Sequence, residues 1–177
     1  MNDFLTDITT LRERARAKME EGPITSSYGA DREQVISVLN EALATELVCV
    51  LRYKRHYFMA DGINAGPVAD EFLQHANEEM QHADQIALRI TQLQGAPNFN
   101  PAGIVDRSHA EYVEGTTLVD MIREDLVAER IAIESYSEII RWLGDKDPTT
   151  RRLMEEILAV EEEHADDLLS LLADLDR

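Results

Sequence analysis

Four stretches of this chain carry the three-and-four spacing of an amphipathic helix, and each sets a glutamate inside its own apolar stripe. The first two stripes read Leu39, Leu43, Glu46, Val50, Tyr53, Tyr57 and Val68, Phe72, His75, Glu79, His82, Ile86. The third is Leu118, Ile122, Leu126, Glu129, Ile133, Tyr136, Ile140, and the fourth is Met154, Ile157, Glu161, His164, Leu168, Leu171, Leu175. Whatever buries these stripes buries four carboxylates with them. One unpaired carboxylate costs several kcal/mol to bury, and four close together also repel one another. No Lys or Arg lies on the stripes to neutralise them. A stable fold must therefore gather the four around positive charge from elsewhere.

Breakers set the ends of the helices. The first covers residues 31–60, with Asp31 as N-cap and the Asp-Gly-Ile-Asn-Ala-Gly stretch at 61–66 as its stop. The second has Pro67 in its first turn and continues to Gln94, ahead of Gly95 and Pro97. The third starts at Thr116 or Thr117 and closes at Gly144; the fourth takes Asp147 and Pro148 as cap and first residue and continues almost to Arg177. Short connections after the first and third make antiparallel neighbours, whereas 95–115 is a long crossover. The expected fold is all-α, a four-helix bundle over residues 31–177 with the crossover between its second and third helices. Because structureless loops of that length are uncommon, a short helix is expected at 108–113. Residues 1–30 form an N-terminal extension. It holds a short amphipathic helix bearing Phe4, Leu5, Ile8, Leu11, Ala15 and Met19, ended by Gly22-Pro23 and followed by a polar linker through Tyr28.

The two halves of the bundle repeat. The segment from Glu46 to Tyr53 aligns with that from Glu129 to Tyr136, and Glu79-x-x-His82 aligns with Glu161-x-x-His164, with Glu-to-Glu separations of 33 and 32 residues. Glu and His three residues apart share a helix face, so each pair can offer one oxygen and one nitrogen to a single ion. Two divalent cations would balance the four carboxylates. A single glutamate on such a stripe would be a misread register or a solvated edge. Six matching donors, in two repeats and on four faces, do not reduce to that. Oxygen and nitrogen donors without thiolate suit iron or manganese and argue against structural zinc.

Composition narrows the function further. The 17 Lys and Arg stand against 35 Asp and Glu, a net charge of −18, which opposes a surface that grips nucleic acid or anionic lipid broadly. DNA binding is thus not expected, although Arg12, Arg14, Arg16 and Lys18 make one basic run, read as a solvated face. The lone Cys49 cannot form an internal disulfide and reads as a small buried hydrophobe in a reducing compartment. Residues 1–10 lack the pattern of a secretory signal, and no apolar run approaches a membrane span, so a cytoplasmic protein with no membrane partner is expected.

The motif set Glu46 … Glu79-x-x-His82 … Glu129 … Glu161-x-x-His164 resembles that of the ferritin-like superfamily. Within it, the likeness is to bacterioferritins and to Dps-like mini-ferritins with a bacterioferritin-type di-iron site, over roughly residues 31–175. The resemblance implies two irons per subunit, Glu46 and His82 holding one, Glu129 and His164 the other, and Glu79 and Glu161 bridging them. Manganese or zinc would fit the same donors in the isolated protein. It implies that Tyr53 stands beside the site as a hydrogen-bond or electron donor, with Tyr136 its repeat counterpart. It also implies ferroxidase activity, with Fe(II) oxidised by O2 or H2O2 and Fe(III) mineralised inside a shell of identical subunits. Residues 165–177 are too few for the fifth helix of bacterioferritins, so a dodecamer is expected over a 24-mer. Met80 takes the position of the bacterioferritin methionine that ligates haem b across a dimer axis, and an ordinary interface methionine is favoured over haem. The paired cysteines of the thiol-containing archaeal branch are missing, since Ser108 and His109 stand in the crossover.

Other residues carry weaker expectations. His75, one turn before Glu79, reads as a core or interface histidine ahead of a group that supports a ligand or holds an ion in transit. The segment from Arg52 to His56 is expected mostly to face solvent and a neighbouring subunit. His109 has no identifiable partner, and Trp142 reads as an anchor. Two further functions compete with iron storage: a non-storing di-iron or di-manganese peroxidase or oxidase like the rubrerythrins, and a structural or DNA-protecting shell.

Overall fold

The computed structural model describes residues 6–63 and 65–175; Phe4, Leu5 and Asn64 of the expectations above lie outside them. Among the described residues there is no strand. Helix α1 (Ile8–Arg16) and a 3₁₀ turn (Met19–Glu21) lead into α2 (Arg32–Met59) and α3 (Ala65–Gln92). The one-turn α4 (Ile104–Arg107) interrupts the crossover, and α5 (Leu118–Leu143) and α6 (Pro148–Leu175) complete the bundle. The expected caps form. Asp31 accepts from the amides of Glu33 and Gln34 at 3.1 and 3.2 Å, Thr117 from Asp120 at 3.1 Å, and Asp147 from Thr150 at 2.9 Å. As the short loops require, α2 packs along α3 and α5 along α6. This is a four-helix bundle with a short helix ahead of it.

Two apolar clusters fill the interior, and they divide at the level of the acidic stripe residues. One contains Leu39 and Leu43, which precede Glu46, together with Ile86 and Ile90, which follow His82. The other contains Tyr53, beyond Glu46, with Phe72, ahead of Glu79, and Leu168, beyond His164. The six donors thus form a polar belt between two apolar halves. On α5 the buried face is turned from the expected stripe. Asp125, Ala128 and Ala132 are buried where Leu126, Ile133 and Ile140 are only partly so, because small residues admit the closer approach of neighbouring helices.

Polar residues of α2 tie down the crossover. Asn40 accepts from the amide of Asn98 at 2.7 Å, Thr45 accepts from the amide of His109 at 2.9 Å, and Arg52 donates to the Glu111 carbonyl at 2.9 Å. These anchors correct several expectations. The short helix lies at 104–107, and 108–113 is non-helical chain held by α2. Arg52 and His56 do not face solvent: both are buried, with Arg52 Nε 2.7 Å and His56 Nδ1 2.8 Å from the two oxygens of buried Asp125. His109 has a partner, Glu41, at 3.5 Å. Trp142 is 40% exposed. Since breaking a buried ion pair strands its partner, Asp125→Ala should cost about 3–5 kcal/mol in denaturant unfolding of the metal-free protein.

At the N-terminus α1 buries no residue, and Ile8 and Leu11 remain exposed, as does its basic run. The linker is more than polar chain. Ile24 and Tyr28 pack on the first cluster, and the Tyr28 hydroxyl donates to Asp147 at 2.9 Å, where Arg89 also binds at 3.0 Å. Helix α2 has an 18-residue window of mean hydropathy 1.5, enough by length and composition to cross a membrane, contrary to the sequence expectation. That window is 61% buried within the bundle, as befits a core helix.

Candidate metal centre

The belt brings together all six expected donors, each at most 5% exposed. Two overlapping groups arise, each with donor atoms within 4.8 Å of one another: Glu46, Glu79, His82 and Glu161, and Glu79, Glu129, Glu161 and His164. Glu79 and Glu161 belong to both. His82 Nδ1 lies 2.9 Å from Glu161, 3.4 Å from Glu46 and 3.6 Å from Glu79. His164 Nδ1 lies 3.5 Å from Glu79 and 3.6 Å from Glu161. Two donors set at right angles on an ion about 2.1 Å away would be about 3 Å apart, so this spacing suits shared coordination.

Hydrogen bonding accounts for only part of the belt. Tyr53 on α2 donates to Glu129 Oε1 on α5, and Tyr136 on α5 donates to Glu46 Oε1 on α2, a reciprocal exchange that follows the internal repeat. The inward atoms are different. Glu46 Oε2, Glu79 Oε1, His82 Nδ1, Glu129 Oε2, both oxygens of Glu161 and His164 Nδ1 are buried with no hydrogen-bond partner among the described residues. Buried polar atoms are nearly always paired, so seven orphans facing one another fit a site built for cations.

Protons offset the carboxylate charge when no metal is bound. Burial, reinforced by the charge on Glu79, pushes Glu46 up to about 8. Burial and the charges of Glu79 and Glu161 hold Glu129 well above the carboxylate range. For Glu79, burial and Glu161 push upward, but contacts with Glu46, His164 and His82 prevail and lower it. Burial disfavours charge on the two imidazoles, yet the surrounding carboxylates win: His82 is raised, and His164 rises to about 11. Cation binding would displace these protons.

Surrounding residues complete the site. Glu78 sits 2.9 Å from His164 Nε2, which turns Nδ1 toward the belt. His75 is buried with its ring stacked on His164 at 4.0 Å and its Nδ1 3.2 Å from the Tyr53 hydroxyl. Burial, then the charge on His164, pushes its pKa down to about 3. An opening of about 290 Å³ between α3 and α6, lined by Glu78, His82, Glu163, His164 and Asp167 among others, leads to the belt. Met80 is exposed on α3, outside the belt. Sequence reading missed Glu78, although its place one residue before Glu79 was the available signal.

The ferritin-like domain family matches residues 36–177. This chain belongs to the ferritin-like family. Its relatives include bacterioferritins from Desulfovibrio desulfuricans, 31% identical over 75% of this chain and 71% of the relative, and from Mycobacterium avium, 32% identical over 81% and 87%. Among solved structures, the dodecameric thioferritin of Bacteroides fragilis, a bacterioferritin-related protein, superposes with a TM-score of 0.81 at 34% identity, covering 84% of this chain and 90% of that one. The Desulfovibrio desulfuricans bacterioferritin, described with a diiron site, gives 0.73 at 27% identity, covering 82% and 81%. Membership supports iron storage and ferroxidase chemistry in general for this ferritin-like chain.

Proposed function

We propose that this protein oxidises Fe(II) at a di-iron centre within each bundle, using O2 or H2O2, and stores the Fe(III) product inside a hollow homo-oligomer. The observation that carries this reading is the set of seven unpartnered buried donor atoms on Glu46, Glu79, His82, Glu129, Glu161 and His164. Glu46 with His82 would hold one ion, Glu129 with His164 the other, and Glu79 and Glu161 would bridge them. Each bound Fe(II) supplies one electron, so a pair reduces one H2O2, with two protons, to water. Carboxylates favour the ferric product because hard oxygen donors suit the higher charge. The opening between α3 and α6 is the route by which ions reach the centre.

Tyr53 and Tyr136 hold Glu129 and Glu46 by their outer oxygens, leaving the inner ones free for metal. Tyr53→Phe should therefore slow the oxidation about tenfold, since losing a group that orients a ligand costs about 10–100-fold, as followed by stopped-flow absorbance. A dodecamer is the favoured assembly, in keeping with the dodecameric relative. Met80 is assigned to an interface between subunits rather than to haem.

Aerobic Fe(II) titration, with ultraviolet absorbance and particle mass read on one sample, tests the proposal. Rapid oxidation by a dodecamer that accumulates many irons per chain is expected. A dimer that holds two metals and stores none would instead identify a non-storing peroxidase, and metal without oxidation a structural role.

A further inference from the structure

Beside the belt stands a second cluster that the di-iron reading does not use. His75 Nε2 lies 3.2 Å from Glu71 Oε1 on α3 and 3.8 Å from Asp167 Oδ2 on α6, and all three residues have donor atoms within 4.8 Å of one another. His75 is wholly buried, and its Nε2 has no hydrogen-bond partner despite the carboxylates it faces. The other ring nitrogen explains why. A phenol has one proton; with Glu129 ionised, Tyr53 gives it to Glu129, and His75 Nδ1 then donates to the Tyr53 oxygen at 3.2 Å. A neutral ring donating from Nδ1 points the lone pair of Nε2 at two acceptors. Three electron-rich atoms converging with no proton among them is the arrangement of a metal site.

We propose that Glu71, His75 and Asp167 form a third binding site for a divalent cation of the Fe(II), Mn(II) and Zn(II) class. The direction of the Tyr53 hydrogen bond rests on Glu129 being ionised, as in the di-iron reading, whereas the unpartnered nitrogen and its two carboxylates do not depend on it. Glu71 and Asp167 are partly exposed, their side chains 27% and 43% accessible, while His75 is not. The site therefore has a wet rim and a buried anchor. Asp167 also lines the opening to the belt, and the His75 ring stacks on His164, so an ion held here waits beside the di-iron centre.

The test uses Co(II) as an air-stable stand-in for Fe(II), read by anomalous diffraction from loaded crystals and by equilibrium dialysis. Wild type should show three peaks per chain, two in the belt and one against His75 Nε2. The double variant Glu71→Gln, Asp167→Asn alters only rim side chains; it should lose the third peak and weaken that equivalent at least tenfold while keeping the other two. Glu161→Ala should do the reverse, losing the pair and keeping the ion at His75. Belt peaks without density at His75 in wild type, or unchanged third-equivalent binding in the double variant, would overturn the proposal. Density at His75 without the belt pair would sustain it and overturn the di-iron reading instead.

Discussion

Glu161→Ala is expected to slow Fe(II) oxidation by at least about a hundredfold while the bundle stays folded. Orienting groups outside a metal's own ligands already cost about 10–100-fold when removed, and a ligand shared by both ions should exceed them. Glu161 is that residue, common to both donor groups, and neither of its oxygens has a hydrogen-bond partner among the described residues. Its nearest cation is the His82 ring, 2.9 Å away, which Glu46 and Glu79 still face at 3.4 and 3.6 Å, so the loss of Glu161 weakens one ion pair and leaves a small cavity, partly offset by relief of carboxylate repulsion. Circular dichroism should be unchanged, and the metal-free melting temperature should fall by no more than a few degrees. Wild-type oxidation kinetics in this variant would remove the di-iron assignment.

Loading the pair is expected to stabilise the protein strongly, and more so as pH rises. An ion that binds only the folded state at about a thousand times its dissociation constant adds about 4 kcal/mol, so two sites approach about 8 kcal/mol. The pH dependence follows from the protons the ions displace. Glu46 has a folded pKa raised to about 8 against an ordinary 4.5, so its contribution to the metal-free fold is complete below 4.5 and is lost as pH climbs through 8. His82 and His164 are also raised, so they too make the metal-free fold weaker with rising pH above the ordinary histidine range. Metal replaces those protons and removes the weakness. Between pH 5.5 and 8, the melting-temperature gain from Mn(II) should grow, and calorimetry in buffers of different ionisation enthalpy should show about four protons released per pair near neutrality, one each from Glu46, Glu129, His82 and His164. A gain that shrinks toward pH 8 would contradict this charge balance.

The bundle was legible because its signals are local and repeated. Asp31, Thr117, Asp147 and Gly144 are end markers that act within a turn, and all four stand at the helix ends in the structure. The six donors were legible because each breaks an apolar stripe at a position that helical periodicity alone assigns to the interior. What escaped depends on contacts between distant segments. Arg52 and His56 read as surface residues because their partner, Asp125, lies 73 and 69 residues away on α5. The path of 108–114 is likewise set by Thr45, Arg52 and His56 of α2 rather than by its own propensity. The rotation of α5 came from Ala128 and Ala132, whose small size marks close helix approach but gives a weak hydrophobic signal. Glu71 and Asp167 carry no periodic cue, since charged residues at the rim of a stripe are the common case.

Anaerobic crystals of the protein loaded with Fe(II), with anomalous diffraction recorded at the iron edge, test the central claim most directly. The account predicts two iron peaks in the belt, about 3.5–4 Å apart, one against Glu46 and His82 and one against Glu129 and His164, with Glu79 and Glu161 reaching both. Belt residues free of iron at millimolar Fe(II), or a single ion held without the shared glutamates, would contradict it.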